Sequence, residues 1–152
     1  MNIVDLISAD TIKAPLVAED RQGVINELVD LVTSVHVSLD GEAIKAAVWE
    51  REQQRSTGIG EGLAIPHGRI AGIDRLFMAI GRPVKPIDFE SPDQHPVELV
   101  ILLLSPPDNT HDHIQALGKI SRKMSDSVFR NRAYTAQDSD ELHALFSELA
   151  NC

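Results

Sequence analysis

Residues 97–104 read VELVILLL: seven of the eight positions are apolar, and only Glu98 breaks the run. The stretch is far shorter than the ~20 residues of a membrane helix. It lacks the apolar/polar alternation of a half-exposed strand. It reads instead as a central strand covered on both faces. A sheet covered on both faces needs helices on both sides, so this segment points to an α/β layered fold. Upstream of it, 75–81 (RLFMAIG) is a second strand by length and residue type. Pro83, Pro86, Pro92 and Pro96 lie between the two and mark turns and an edge segment.

Outward from these strands the period becomes helical. After Ser105-Pro106-Pro107, the residues Ile114, Leu117, Ile120 and Met124 form one stripe. A short helix is expected over 127–134. A last helix is expected from Asp138, which makes a capping-box-like pair with Glu141 and carries Leu142, Leu145, Phe146 and Leu149 inward. On the other side, 1–18 reads as a helical turn followed by a short strand interrupted by Pro15. Asp20 is an N-cap for a helix bearing Val24, Ile25, Leu28, Leu31, Val32 and Val35. A second helix runs from Asp40 to about Gln54 with Ile44, Ala47, Val48 and Arg51 on one face.

The chain has 152 residues, the size of one domain, and no repeat or low-complexity segment divides it. Hydrophobic residues make up 43%, but aromatics only 4%, so the core is built from Val, Ile, Leu and Ala. Fourteen Lys+Arg against 23 Asp+Glu give a formal net charge of -9 with no basic stripe, which argues against a nucleic-acid partner. The N-terminus lacks the pattern of a signal peptide, and no apolar run is long enough for membrane insertion, so a cytoplasmic protein is expected. The one cysteine, Cys152, permits neither an intrachain disulfide nor a Cys-based zinc site.

The segment 51–69, REQQRSTGIGEGLAIPHGR, carries the chemistry. Gly58, Gly60 and Gly62 let backbone N–H groups approach an anion closely. Ser56 and Thr57 add hydroxyls, and Arg51 and Arg55 add fixed positive charge suited to phosphate. His67 follows a proline at a strand end, where its ring is held in one orientation. Together these make an anion site beside a possible nucleophile. Neither the G-x-x-x-x-G-K-[ST] loop nor the G-x-G-x-x-G fingerprint is present, so ATP and NAD are poorly supported. Taken singly, each element has a plainer reading as a tight turn, a structural histidine or a solvated arginine pair. The grouping within twenty residues is what favours a site. His111 and His113 fall at a helix N-terminus, where i and i+2 point apart. No third ligand or H-E-x-x-H pattern accompanies them, so no metal is expected. His36, His95 and His143 read as surface histidines, and Lys119, Arg122 and Lys123 as a solvated basic face.

The run STGIGEGLAIPHGR, 56–69, closely resembles the active-site signature of the fructose/mannitol-type enzyme IIA domains of the bacterial phosphoenolpyruvate-dependent phosphotransferase system. The preceding Arg51-Glu52 resembles that family's Arg-Glu pair. The segment LLLSPPDNTHDHIQALGKISR, 102–122, resembles its second active-site region. The resemblance extends over nearly the whole chain and implies one domain across 1–152, with a mixed sheet of about five strands flanked by helices. It maps the phosphorylated histidine onto His67, the second active-site histidine onto His113, with His111 an extra histidine close by, and the active-site arginine onto Arg51.

The resemblance implies a phosphoryl carrier. Neutral His67 would take a phosphoryl group from an HPr-like donor and pass it to a IIB unit or use it as a regulatory switch. Arg51 and the Ser56, Thr57, Gly58 and Gly60 segment would supply charge and hydrogen bonds. His113 would donate to the phosphoryl oxygens or hold the tautomer of His67. No cofactor is called for. With only Cys152 and no membrane span, a free-standing IIA protein is expected, and the Pro66-His67-Gly68-Arg69 segment favours the nitrogen-regulatory branch. The alternatives are a regulatory binding module that acts only by contacting target proteins, and an unrelated small hydrolase or metalloprotein using the histidines.

Overall fold

Side-chain caps start every α-helix in the computed structural model, which describes residues 2–151. Asp20 accepts from the Gly23 N–H to open α1 (Arg21–Val35), and Asp40 accepts from Ala43 to open α2 (Gly41–Gln54). Asn109 opens α3 (Thr110–Met124), Asp126 opens α4 (Ser127–Thr135), and Asp138 opens α5 (Ser139–Ser147). Four of the five caps are aspartates, so part of the acidic excess is spent on orphan N–H groups and on the positive ends of helix dipoles. Cys152 lies outside the described residues.

The strands are β1 (Ile12–Leu16), β2 (Gly58–Gly60), β3 (Leu63–Ala64), β4 (His67–Arg69), β5 (Phe77–Pro83) and β6 (Leu99–Ser105). Their order across the sheet is β1-β5-β6-β3-β2, with β4 also paired to β6. The sheet is mixed: β1 runs parallel to β5, β5 antiparallel to β6, and both β3 and β4 parallel to β6. The expected mixed α/β sheet is therefore present with six strands. The additional pieces come from 58–69, where two- and three-residue strands hide inside a glycine-rich segment that has no readable period.

β6 is buried along its whole length. Alternate residues feed two cores. Leu99, Ile101 and Leu103 pack with α3, α4 and α5, whereas Val100, Leu102 and Leu104 pack with α1 and α2. At the outer edge, β1 is closed off by side chains. Ser139 accepts from the Ala14 N–H at 3.0 Å, Pro15 has no N–H, and the Glu27 carboxylate accepts from Val17 and Ala18. Lys13 binds the same carboxylate at 2.8 Å.

Two expectations from periodicity are corrected. In α3 the buried positions are His113, Ala116, Ile120 and Met124, and Ile114 is 61% exposed. The first two inward positions shift back by one residue, to His113 and Ala116, because a histidine occupies the first, while Ile120 and Met124 stay inward. In α1, Val29 takes a buried place that Val35 does not. His36 is half-buried with its ring edge-on to Phe77, whereas His95 is exposed beside Asp93. Lys119, Arg122 and Lys123 line a cavity of about 260 Å³ with Asn2, Ile3, Asp126 and Leu149, and Lys123 sits over the Phe129 ring. Lys119 and Lys123 are half-buried and Arg122 is exposed, so the cavity opens on a solvated face.

Candidate functional site

β3 and β4 are two pieces of one strand. Leu63 pairs with Leu99, Ala64 with Val100, His67 with Leu103 and Arg69 with Ser105, so the register is the same on both sides of the gap. The gap is Ile65-Pro66. Ile65 donates its N–H to Thr57 O at 3.0 Å, and Pro66 has none to give. The Ile65 carbonyl meets the His67 ring, 2.8 Å from Nδ1. A carbonyl only accepts, so the hydrogen sits on Nδ1 and the lone pair on Nε2. Burial holds His67 below the ordinary imidazole pKa. The Ile65 bond and Glu52 oppose that shift, and Arg51 and Arg69 add to it. His67 is therefore neutral near pH 7.

His113 comes from the first turn of α3 and is only 5% exposed. Its Nδ1 is 2.6 Å from the hydroxyl of Ser105, the last residue of β6. The His67 and His113 rings meet edge to face, with centroids 5.3 Å apart and planes at 65°. Burial first, then the charge of Arg69 and the neighbouring His67, push the His113 pKa down to about 4. Among the described residues neither Nε2 atom has a hydrogen-bond partner. His111, two residues away, is exposed, as the opposed directions of i and i+2 require.

α2 brings Arg51 and Glu52 to the same place because Gly68 lets the helix sit on β4. A Cβ on Gly68 would stand 3.3 Å from Cγ2 of Val48. Arg51 acts electrostatically on His67, while its Nη1 donates to Arg55 O at 2.9 Å. Glu52 is 1% exposed and accepts from the Thr57 N–H and, at 2.6 Å, from the Thr57 hydroxyl; Arg21 lies 3.9 Å from the carboxylate. In the glycine segment, Ser56 Oγ donates to Phe89 O and accepts from the Gly58 N–H. Several donors expected to cradle an anion are thus already committed within the chain. Gly60, Glu61 and Gly62 all have positive φ (+102°, +57° and +87°), and this turn joins β2 to β3. Three side chains brace it. Asp93 accepts from Glu61 N, Tyr134 donates to Glu61 O at 2.6 Å, and Arg130 binds the Glu61 carboxylate at 2.9 Å.

The structure thus brings His67, His113 and Arg51 into one neighbourhood. Thr57 meets Glu52 and Ile65 close to it, whereas Gly58 and Gly60 pair with Ala64 and Leu63, three and four residues up the strand from His67, and are not brought to it. Sequence reasoning missed Arg69 and Ser105. Arg69 had a signal: on a strand, i+2 from His67 shares its face. It donates to Thr110 Oγ1 at 3.2 Å and so ties β4 to the start of α3. Ser105 had none, being a small residue between an apolar run and two prolines. Among the described residues, no group of three or more His, Cys, Asp or Glu is arranged to hold a metal ion. No helix there is long and apolar enough to cross a membrane.

Residues 5–149 match the family described as "Phosphoenolpyruvate-dependent sugar phosphotransferase system, EIIA 2". The chain belongs to this family. Among EIIA relatives, it is 32% identical over 142 residues to the "PTS system fructose-specific EIIABC component" of Bacillus subtilis (strain 168). The match covers 93% of this chain but only 22% of that protein, about a fifth of its length. It is 30% identical to a "Nitrogen regulatory protein" of Bradyrhizobium diazoefficiens, over 97% of this chain and 95% of the relative. Among solved structures, the nitrogen regulatory protein IIA-Ntr from Neisseria meningitidis superposes with a TM-score of 0.87 at 30% identity, covering 95% of this chain and 98% of that one. The EIIA family assignment accordingly rests on the whole domain and not on the histidine signature alone.

Proposed function

We propose that this EIIA-family chain is a histidine phosphoryl carrier of the cytoplasm and that His67 Nε2 is the acceptor atom. The observation that carries this reading is the commitment of His67 Nδ1 to the Ile65 carbonyl, which leaves a neutral ring with its Nε2 lone pair free. The donor is a phosphohistidine on an HPr-like protein. Nε2 attacks phosphorus in line; the P–N bond to the donor breaks, and its electron pair stays on the donor imidazole. The ring keeps its Nδ1 hydrogen, so the phosphorylated imidazole carries positive charge and remains a good leaving group for the next transfer. Little covalent work is left to the protein beyond positioning and charge neutralisation.

Arg51 and Arg69 supply that charge and His113 a hydrogen bond to the phosphoryl oxygens. Ser56, Thr57 and Gly58 commit their donors within the chain and hold the segment that leads into His67, while Gly60 pairs with Leu63, four residues up the strand from it. The acceptor is a IIB unit or a regulated protein. The full-length match to a nitrogen regulatory relative supports the regulatory role. A phosphoryl group at His67 places a dianionic group, partly offset by the positive charge of the ring, on a surface that partners meet. The test is intact mass after incubation with phosphoenolpyruvate, enzyme I and HPr. The expected outcome is an acid-labile gain of about 80 Da in the wild type and none in His67→Ala. No gain with a donor pair proven on another IIA would refute the carrier role and leave a binding module.

A further inference from the structure

Ser105 ends β6 with no exposed surface, and its hydroxyl lies 2.6 Å from Nδ1 of His113. A hydroxyl either gives or takes a hydrogen, so this pair has two neutral forms. In one, Ser105 donates to the Nδ1 lone pair and the ring hydrogen sits on Nε2. In the other, Nδ1–H donates to Ser105 and Nε2 is a bare lone pair. We infer that Ser105 donates, and so holds His113 as the neutral Nε2–H tautomer, an uncharged hydrogen-bond donor aimed at the group carried on His67. Ser105 is a positioning residue, acting through His113, and the inference rests on the carrier reading above.

The surroundings favour this form. Ser105 cannot drift, because its carbonyl accepts from the Ile70 N–H at 2.8 Å and its backbone pairs with Arg69. The groups facing His113 are His67 and Arg69 from β4, and Arg51 and Glu52 stand behind His67. The guanidinium of Arg69 and the buried setting both disfavour an imidazolium. A bare Nε2 would point a lone pair at phosphoryl oxygens and repel them. With Nδ1 occupied by Ser105, the ring is also held against a flip that would present carbon instead of nitrogen. The His113 hydrogen bond then forms without a proton transfer or a ring rotation when the phosphoryl group arrives.

Nitrogen-15 NMR of the histidine side chains at pH 7, on unphosphorylated wild type, reads the tautomer directly. The Nε2–H form of His113 is expected; the Nδ1–H form overturns the inference. Transfer supplies a second readout, measured as the rate at which the phosphorylated protein loses its group to added unphosphorylated HPr. Ser105→Ala should slow this about tenfold and Ser105→Thr, which keeps the hydroxyl, should restore most of it. In a His113→Ala background, Ser105→Ala should cost nothing more, since its effect passes through His113. Losses that simply add would mean a structural role and overturn the positioning role. Failure of the wild type to take any phosphoryl group would instead sink the carrier reading, and the NMR result would still decide the tautomer.

Discussion

Thr57 gives both its backbone N–H and its hydroxyl to the carboxylate of Glu52, five residues earlier at the end of α2. The carboxylate is buried, and these bonds with the nearby Arg21 satisfy it. The pair ties the helix that carries Arg51 to the strand that leads into His67. Thr57→Val removes the hydroxyl donor and leaves a buried charge short of one bond. A loss of about 2 kcal/mol in folding stability is expected, read as a lower urea midpoint. An unchanged midpoint would mean that water replaces the hydroxyl.

His67 and His113 have different roles in the proposed mechanism, so their alanine variants should differ in kind. His67→Ala should take up no acid-labile phosphoryl group. His113→Ala should still accept it and pass it on poorly. Intact-mass time courses with donor present, and then after donor removal and acceptor addition, separate the two steps. Equal loss of acceptance in both variants would defeat this division.

Both arginines near the site are expected to speed transfer, by different routes. Arg51 reaches the site from α2 with Nη1 on the Arg55 carbonyl, whereas Arg69 reaches it from β4 with Nη1 on Thr110, and each keeps further N–H donors. Arg51→Ala and Arg69→Ala should each slow acceptance by roughly 10²-fold, the scale for losing one charge-stabilising donor. Rates from quenched-flow labelling check this. An unaffected Arg69→Ala would confine that residue to holding α3.

Acid should weaken the fold through the site itself. Unfolded histidine binds a proton near its ordinary value of about 6.5, while folded His113 resists until about 4. His67 is depressed as well, again chiefly by burial. The unfolded state therefore binds more protons over this interval, and stability rises with pH there. The contribution of the pair is fully present above about 6.5 and is lost as pH falls through the folded values. Urea midpoints between pH 7 and pH 4 should fall less steeply in His113→Gln than in wild type. Parallel curves would show that carboxylates alone govern the acid limb.

The brace on the β2–β3 turn is open to a milder test. Tyr134→Phe removes one hydrogen bond to Glu61 O and should cost about 1 kcal/mol. Gly62→Val should cost more, since φ is +87° and a Cβ would stand 3.0 Å from the Tyr134 ring. Thermal melts of the two variants give the order.

How far each part was legible in the sequence follows from how local its cause is. The five helices announced themselves because caps and apolar stripes are local, and Asp20 and Asp138 cap where their side chains alone indicated. β6 was legible because both its faces are buried. The β2, β3 and β4 pieces were not, since β3 and β4 pair with β6, more than thirty residues away, and β2 is three residues laid on the two-residue β3. Ile114 was misplaced inward because a periodicity count cannot know that a histidine fills the inward position before it. His67 and Arg51 stood out through their motif. Ser105 is informative only through an atom it touches eight residues later, which composition and spacing do not encode.

The closed edge of β1 has a consequence for how this protein meets others. An open strand edge invites any passing backbone to extend the sheet. Here Ser139, Pro15 and Glu27 occupy or delete the outward donors from Ala14 to Ala18. The opposite edge, β2, is three residues long and ends in the left-handed Gly60. Among the described strands only the three residues of β4, paired to β6 alone, leave an edge for a visiting strand. Away from that short edge, recognition is a matter of side chains meeting side chains, which changes quickly with single substitutions. A chain built this way can acquire or shed partners without disturbing the sheet beneath.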